Sequence, residues 1–286
     1  MIYEIYHETS FDYVALVTFS HNIARLKPKN CNTQKLIEYS LKINPTPYEV
    51  NEFIDYFGNT NNFMLIREAH KRLSVIATSK VERLENEINK ELEILQESKI
   101  TLKEATQRLS KYHPEDVFAK QFLFETDSIP MPNDEIKEYA LQSFKENRNL
   151  YEACNEFMGR IFHDFKFVSG FSNITTPIEI VFKEKKGVCQ DFAQFAISSL
   201  RSIGIPARYI SGYLQTTSKE GKEKLFGADA SHAWFSIYIP DFGWADFDPT
   251  NNKIPNEEYI ILGHGRDYLD ISPLKGVVQS SGNSSL

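Results

Sequence analysis

The sequence predicts an α+β chain in three parts: an N-terminal antiparallel β-sandwich, a helical connector, and a core in which a buried, cysteine-bearing helix packs on an antiparallel sheet. Three observations predict this. Residues 1–86 hold short apolar-polar alternations separated by turn clusters. Residues 87–112 turn to a Glu, Lys, Leu and Ile composition with helical period. In the remainder, 113–286, a helix beginning at Cys189 is almost wholly apolar and is followed by strands. Strands first and helices afterwards is the α+β order.

The elements follow in chain order. Ile2 to Glu8, Ala24 to Pro28 and Gln34 to Ile43 are apolar-rich, and the last alternates over its length, with Ile37, Tyr39, Leu41 and Ile43 on one face. Asn44-Pro45-Thr46-Pro47 and Gly58 to Asn62 are turn clusters, and Phe63 to Ile66 and Leu73 to Val81 complete the antiparallel set. The charged run at 82–93 reads as a solvated helix or linker, and Thr101-Leu-Lys-Glu104 is a candidate capping box ahead of Leu109. Asp134 to Leu141 and Asn149 to Phe165 keep helical period, with Leu150, Cys154, Phe157 and Ile161 on one face, so Cys154 is expected in the core. The Cys189 helix carries Phe192, Phe195, Ala196, Ile197 and Leu200, and Gly204 with Pro206 ends it. Ala207 to Leu214, Ser231 to Ile239 and Gly243 to Asp248 read as strands, with a polar excursion at 218–224 and a disordered serine-rich tail from Ser280.

Composition narrows the function classes. A formal charge of -7 disfavours a nucleic-acid groove or an anionic membrane surface as partner, since both call for basic clusters. The three cysteines, Cys31, Cys154 and Cys189, are odd in number and lack metal-ligand spacing, so neither a disulfide framework nor a metal site is expected. No cofactor motif and no acidic loop with calcium-ligand spacing is present. The N-terminus lacks a basic and apolar leader, and no segment is long enough to span a bilayer, so the expected location is cytoplasmic.

Chemistry is concentrated after residue 186. A thiol at the first position of a helix meets unsatisfied N–H groups and the positive end of the dipole, which stabilise a thiolate. Taken alone, Cys189 is no more than a buried cysteine. His232 opens one strand and Asp248 closes the next, and a nucleophilic thiol needs a base whose ring is held by a third group. The order Cys189, His232, Asp248 supplies those three types, with the Cys189 backbone N–H as one oxyanion donor.

Four stretches carry a resemblance to a known family: Gly187-Val-Cys-Gln-Asp-Phe-Ala193, Leu200 to Tyr213 with its Gly-Ile-Pro-Ala-Arg-Tyr run, Ala230-Ser-His-Ala-Trp234, and Gly243-Trp-x-x-Phe-Asp-Pro-Thr-Asn251. They resemble the transglutaminase-like superfamily, in the bacterial branch that places a β domain before the core; Gly265 to Gly276 is similar to that branch's C-terminal segment. The resemblance implies a papain-like core, a Cys189-His232-Asp248 triad, and a peptide or protein substrate handled through a thioester. The animal cross-linking enzymes have a tryptophan upstream of the nucleophile, whereas Trp234 and Trp244 both lie downstream of Cys189. A hydrolase of peptide or protein amides is therefore expected, with a protein-glutamine transamidase and a non-catalytic peptide-binding protein as the alternatives.

Strand geometry decides between two carboxylates. Asp246 and Asp248 point to the same face. Opposed residues of an antiparallel hairpin share a face, which requires an odd loop, either Pro240 to Phe242 or Ile239 to Gly243. Asp248 then stands diagonal to His232, and Asp246, opposite Ser236, is too distant. A hydrogen bond from His232 to Asp248 and none to Asp246 is predicted.

Overall fold

The structure is a computed structural model and describes residues 1–215 and 231–280; the excursion expected at 218–224 and the tail beyond Ser280 lie outside the described residues. Strands β1 (Ile2–Ala24), β2 (Gln34–Asn44), β3 (Glu49–Ile54), β4 (Thr60–Ile66) and β5 (His70–Arg83) come first. Helices α1 (Glu85–Glu97), α2 (Leu102–Leu109), α3 (Val117–Lys120), α4 (Asp134–Leu141) and α5 (Leu150–Asp164) follow. The two-residue strands β6 (Lys166–Phe167) and β7 (Lys186–Gly187) flank α6 (Ile178–Glu184), and α7 (Cys189–Ser202) comes next. Strands β8 (Ala207–Leu214), β9 (His232–Ile239), β10 (Gly243–Phe247) and β11 (Tyr259–Gly265), the single turn α8 (Tyr268–Ile271) and β12 (Leu274–Ser280) complete the described chain. It divides into two compact units: Met1–Glu85 with Ile260–Gly263 and the chain from Ile271 onward, and Asn86–Tyr259 with His264–Asp270.

The first unit is a six-stranded antiparallel sheet of order β2-β5-β1-β4-β3, with β12 also on β1. Strand β1 is longer than its sequence suggests, because its two ends have different partners. Ile2 to Asp12 pair with β5, and Ser20 to Ala24 pair with both β4 and β12. The stretch read as a strand over 24–28 is thus the end of β1 and the coil after it. Met64 and Ile66 of β4 share one core with Leu73, Val75 and Ala77 of β5 and with Tyr39, Leu41 and Ile43 of β2. The strands expected to form a sandwich are thus joined in one hydrogen-bonded antiparallel sheet, and β2, β4 and β5 share its core.

The C-terminal strand departs from the expected boundaries, which put everything after residue 112 in the core. Lys275, Gly276 and Val277 pair with Ile23, Asn22 and His21. At Gly276 a Cβ would lie 2.0 Å from Asn22 Oδ1, so only a bare Cα lets the strands close there. Ile261 is tied to the same unit by Gln34, whose Nε2 donates to its carbonyl at 2.8 Å and whose Oε1 takes its N–H at 2.8 Å. Conversely, the 87–112 helices belong to the second unit and are not a separate connector. A strand's pattern says which face is buried, and leaves open which sheet edge it joins.

The second unit carries the antiparallel strands β10, β9 and β8, with β9 paired to both of the others. Helix α7 packs on β8, β9, α4 and α6, and every side chain from Asp191 to Arg201 is buried. Phe195 stacks at 5.7 Å on Phe182 and lies 4.9 Å from Phe165 and 5.8 Å from Tyr139. Each such side chain contributes about 1.5–3 kcal/mol by leaving water. The helix ends as its sequence predicts: Gly204 takes φ +84, its N–H bonds Arg201 at 3.0 Å, and the Ile205 N–H reaches Leu200 at 3.0 Å. The Thr101–Glu104 capping box is formed in both directions.

One arginine fastens α2 to the β9–β10 hairpin. Arg108 donates to Asp116 at 3.0 Å, Glu115 at 2.9 Å and Asp241, in the hairpin loop, at 2.5 Å. Asp116, with no exposed side-chain surface, also accepts from Tyr238 of β9 at 2.8 Å. Arg108→Ala leaves that buried carboxylate with the tyrosine alone among these donors. The expected loss is ~1.5–3 kcal/mol, the usual range for hydrogen bonds to charged groups. Urea unfolding followed by tryptophan fluorescence reads it, since both tryptophans lie in the second unit.

Candidate active site

Cys189 is the first residue of α7 and is half-buried. The residue before it, Val188, is extended at φ -115 and ψ 178 and has no side chain able to cap the helix. The first-turn N–H groups therefore present their positive end beside the sulfur. Of the other cysteines, Cys154 is fully buried in α5, where loss of solvation pushes its thiol well up, and Cys31 is exposed in the first unit.

His232 and Asp248 arrive on the hairpin. Gly243 pairs with Ile239, Trp244 with Tyr238 and Asp246 with Ser236, so the loop is Pro240 to Phe242 and the register is the odd one. Gly243 at φ +96 and Asp241 at φ 70 accommodate the turn. His232 Nε2 donates to Asp248 Oδ2 at 2.9 Å, with neither side chain exposed. Asp246 is occupied otherwise, accepting the Trp234 indole N–H at 3.0 Å. Trp234 in turn stacks on the His232 ring, centroids 6.1 Å apart.

Asp248 is saturated with donors. Besides His232, its Oδ2 takes the Tyr259 hydroxyl at 2.7 Å and the Asn251 amide at 2.7 Å, and its Oδ1 takes the Thr250 N–H at 2.9 Å. Its backbone is held by paired bonds with Lys253 at 2.9 and 3.2 Å. Burial alone would raise this carboxyl, but the His232 charge and these donors bring it below the usual carboxylate range. The ring shows the counterpart. Burial works against protonation of His232, yet Asp248, with a smaller part from Cys189, raises its pKa to about 10. His232 Nδ1 is buried and has no hydrogen bond of ordinary geometry among the described residues. The thiol is thus near enough to act on the ring, and the ring's second nitrogen is uncommitted.

The three residue types singled out in the sequence therefore meet at one place in the second unit. Sequence reasoning passed over Tyr259, Asn251 and Trp234 as supports. Asn251 lies within the Asp-Pro-Thr-Asn run and could have been found there; Tyr259 comes from a different strand and left no local signal. What the arrangement can do chemically is hold a proton on an imidazole beside a thiol at a helix N-terminus.

Two family descriptions match the chain: the bacterial transglutaminase-like N-terminal region over residues 3–82 and the transglutaminase-like superfamily over residues 137–249. The chain is 33% identical over 291 residues to Uncharacterized protein Rv2569c of Mycobacterium tuberculosis (strain ATCC 25618 / H37Rv), covering 99% of this chain and 90% of that protein. Over 102 residues it is 30% identical to a protein-glutamine gamma-glutamyltransferase of Pseudomonas aeruginosa, which is 34% of this chain and 15% of that one. Among solved structures, a candidate cysteine protease from Cytophaga hutchinsonii shares the fold with a TM-score of 0.71 at 21% identity, covering 100% of this chain and 89% of that one.

The pair makes stability pH-dependent, with signs set by the two shifts. His232 is raised when folded, so its contribution is complete below its unfolded value of 6.5 and is lost as pH rises toward about 10. Asp248 is lowered, so its contribution is present above its unfolded value of 3.8 and is lost as pH falls through the depressed one. Unfolding free energy from urea titrations is expected to decline between pH 6.5 and 10, and His232→Gln is expected to flatten that decline.

Proposed function

Since this chain belongs to the transglutaminase-like superfamily, we propose that it is a thiol-dependent amide-bond enzyme acting through Cys189, His232 and Asp248. The buried His232–Asp248 pair carries the reading, because it leaves Nδ1 of an oriented imidazole uncommitted next to a helix-terminal thiol. At neutral pH His232 Nδ1 holds the proton given up by Cys189, and in the first half-reaction the thiolate sulfur attacks the amide carbonyl carbon. The Cys189 backbone N–H donates to the developing oxyanion. The C–N bond then breaks, Nδ1–H protonates the leaving amine, and an acyl thioester remains on Cys189. Asp248 stays ionised and holds the ring in the tautomer with Nε2–H.

Water attacking the thioester, with His232 again as base, completes hydrolysis of a peptide or protein amide. Transamidation is the second reading, in which a primary amine takes the place of water; the 102-residue likeness to the Pseudomonas aeruginosa protein-glutamine gamma-glutamyltransferase favours it. The tryptophans favour hydrolysis, because Trp234 is committed to Asp246 and none lies upstream of the nucleophile.

Iodoacetamide labelling followed by intact mass tests the shared first half. Cys189 is expected to react much faster at neutral pH than Cys31 or Cys154, and equal rates would remove the proposal. Asp248→Asn is expected to slow reaction at Cys189 by at least ~10²-fold, the lower end of general-base effects. Asp246→Asn should change it by less than about 3-fold, as a lost neutral hydrogen bond away from the reacting atoms would. A peptide amide incubated with and without a primary amine separates the readings: free acid in both cases is hydrolysis, and an amine adduct is transamidation.

A further inference from the structure

Asp191 takes no part in the steps above, yet it is buried two residues beyond the nucleophile, with 5% of its surface exposed. One of its oxygens, Oδ2, does two things. It accepts the Val188 N–H at 2.7 Å, and it accepts the hydroxyl of Ser172. Val188 is the residue before Cys189, and Ser172 belongs to a different stretch of chain. That stretch runs beside the Cys189 approach as β6 against β7, where the Val168 N–H bonds Gly187 at 2.9 Å and the Lys166 N–H bonds Lys185 at 2.8 Å. It then turns through Gly170, at φ +75, with the Phe171 N–H on Val168 at 3.2 Å.

Gly187 is shaped to this carboxylate. A Cβ there would meet Asp191 Cβ at 2.8 Å and Oδ2 at 2.9 Å, so the bare Cα is what lets the side chain lie across the turn. Burial pushes the Asp191 carboxyl above the usual range, while Ser172 and the Val188 N–H pull it back. An anion held at some cost so near a thiol does not favour the thiolate. Its use must lie in geometry.

We propose that Asp191 is a positioning residue: a single carboxylate oxygen clasps the Val188 N–H and the Ser172 hydroxyl, and so holds the Cys189 sulfur and backbone N–H in one geometry against the 168–172 loop. The inference rests on the reading of Cys189 as nucleophile. It explains the Gly-x-Cys-x-Asp spacing as one device. The glycine makes room, the aspartate spans back to the residue before the thiol, and the loop serine locks it.

Two reagents separate position from ionisation. Alkylation by iodoacetamide needs only the thiolate. Acetylation by p-nitrophenyl acetate also needs the oxyanion N–H in place: the thiolate sulfur–carbon bond forms, p-nitrophenolate leaves, and the proton from the thiol stays on His232. Both rates at Cys189 are read by intact mass on the full-length chain. Asp191→Ala is expected to cut acetylation on the order of 10- to 100-fold, as a displacement of up to about 1 Å does. Ser172→Ala, which removes one hydrogen bond, should cut it about 2- to 12-fold. Alkylation should fall less than acetylation in both variants. Asp191→Asn keeps an oxygen able to take both donors and should retain the wild-type ratio of the two rates.

Cys31 is the internal reference, and buried Cys154 reports folding, since its labelling would mark an unfolded variant. If Asp191→Ala unfolds, Ser172→Ala and Asp191→Asn decide. An unchanged ratio in Ser172→Ala, or an Asp191→Asn ratio reduced as in Ser172→Ala, overturns the positioning role. A wild-type Cys189 that reacts with neither reagent faster than Cys31 overturns the nucleophile reading, and this proposal with it.

Discussion

The 2.9 Å bond between His232 Nε2 and Asp248 Oδ2 is the constraint on which the site depends. Burying an ionised carboxylate and an imidazole together costs several kcal/mol per ion unless each lone pair and proton is satisfied. Asp248 meets that condition with Tyr259, Asn251 and the Thr250 N–H in addition to the ring. Because the carboxylate is saturated, the imidazole has one orientation, and its Nδ1 is left for chemistry. A looser aspartate would let the ring turn, and the second nitrogen would lose its direction.

That bond is in turn a consequence of hairpin register. A loop of Pro240 to Phe242 places Asp246 opposite Ser236, one residue pair away from the diagonal that Asp248 occupies. The spare carboxylate is put to other use on the Trp234 indole, whose ring lies on His232. The same hairpin is gripped at its turn by Arg108 through Asp241 and along β9 through Tyr238 and Asp116. Register, tautomer and loop anchorage are thus one connected set of polar contacts.

The thiol depends on a different kind of rigidity. Helix α7 is buried on all sides over Asp191 to Arg201, so it cannot roll or slide without opening the aromatic contacts of Phe195 with Phe165, Phe182 and Tyr139. Its N-terminus emerges half-buried at Cys189, beside the strand that begins at His232. Asp191 spans the turn before the helix by accepting the Val188 N–H.

Much of this was legible in the chain before any coordinates. The Cys189 helix, its apolar girth and its stop at Gly204 follow from side-chain chemistry at fixed spacing, as do the Thr101 capping box and the odd hairpin loop. These are local properties, decided within a few residues by backbone hydrogen bonding and steric allowance. The superfamily resemblance was legible too, because its motifs are contiguous runs. What tertiary structure alone decided are the choices between distant partners. The sequence does not say that β1 pairs with β5 at one end and β4 at the other, that β12 returns to pair with β1, or that Gln34 holds Ile261. Nor does it say that Tyr259 from β11 completes the Asp248 shell, or that Ser172 reaches Asp191. Period and propensity record which side of an element is buried; the identity of what covers it is set by packing across the whole chain, where many partners satisfy the same pattern.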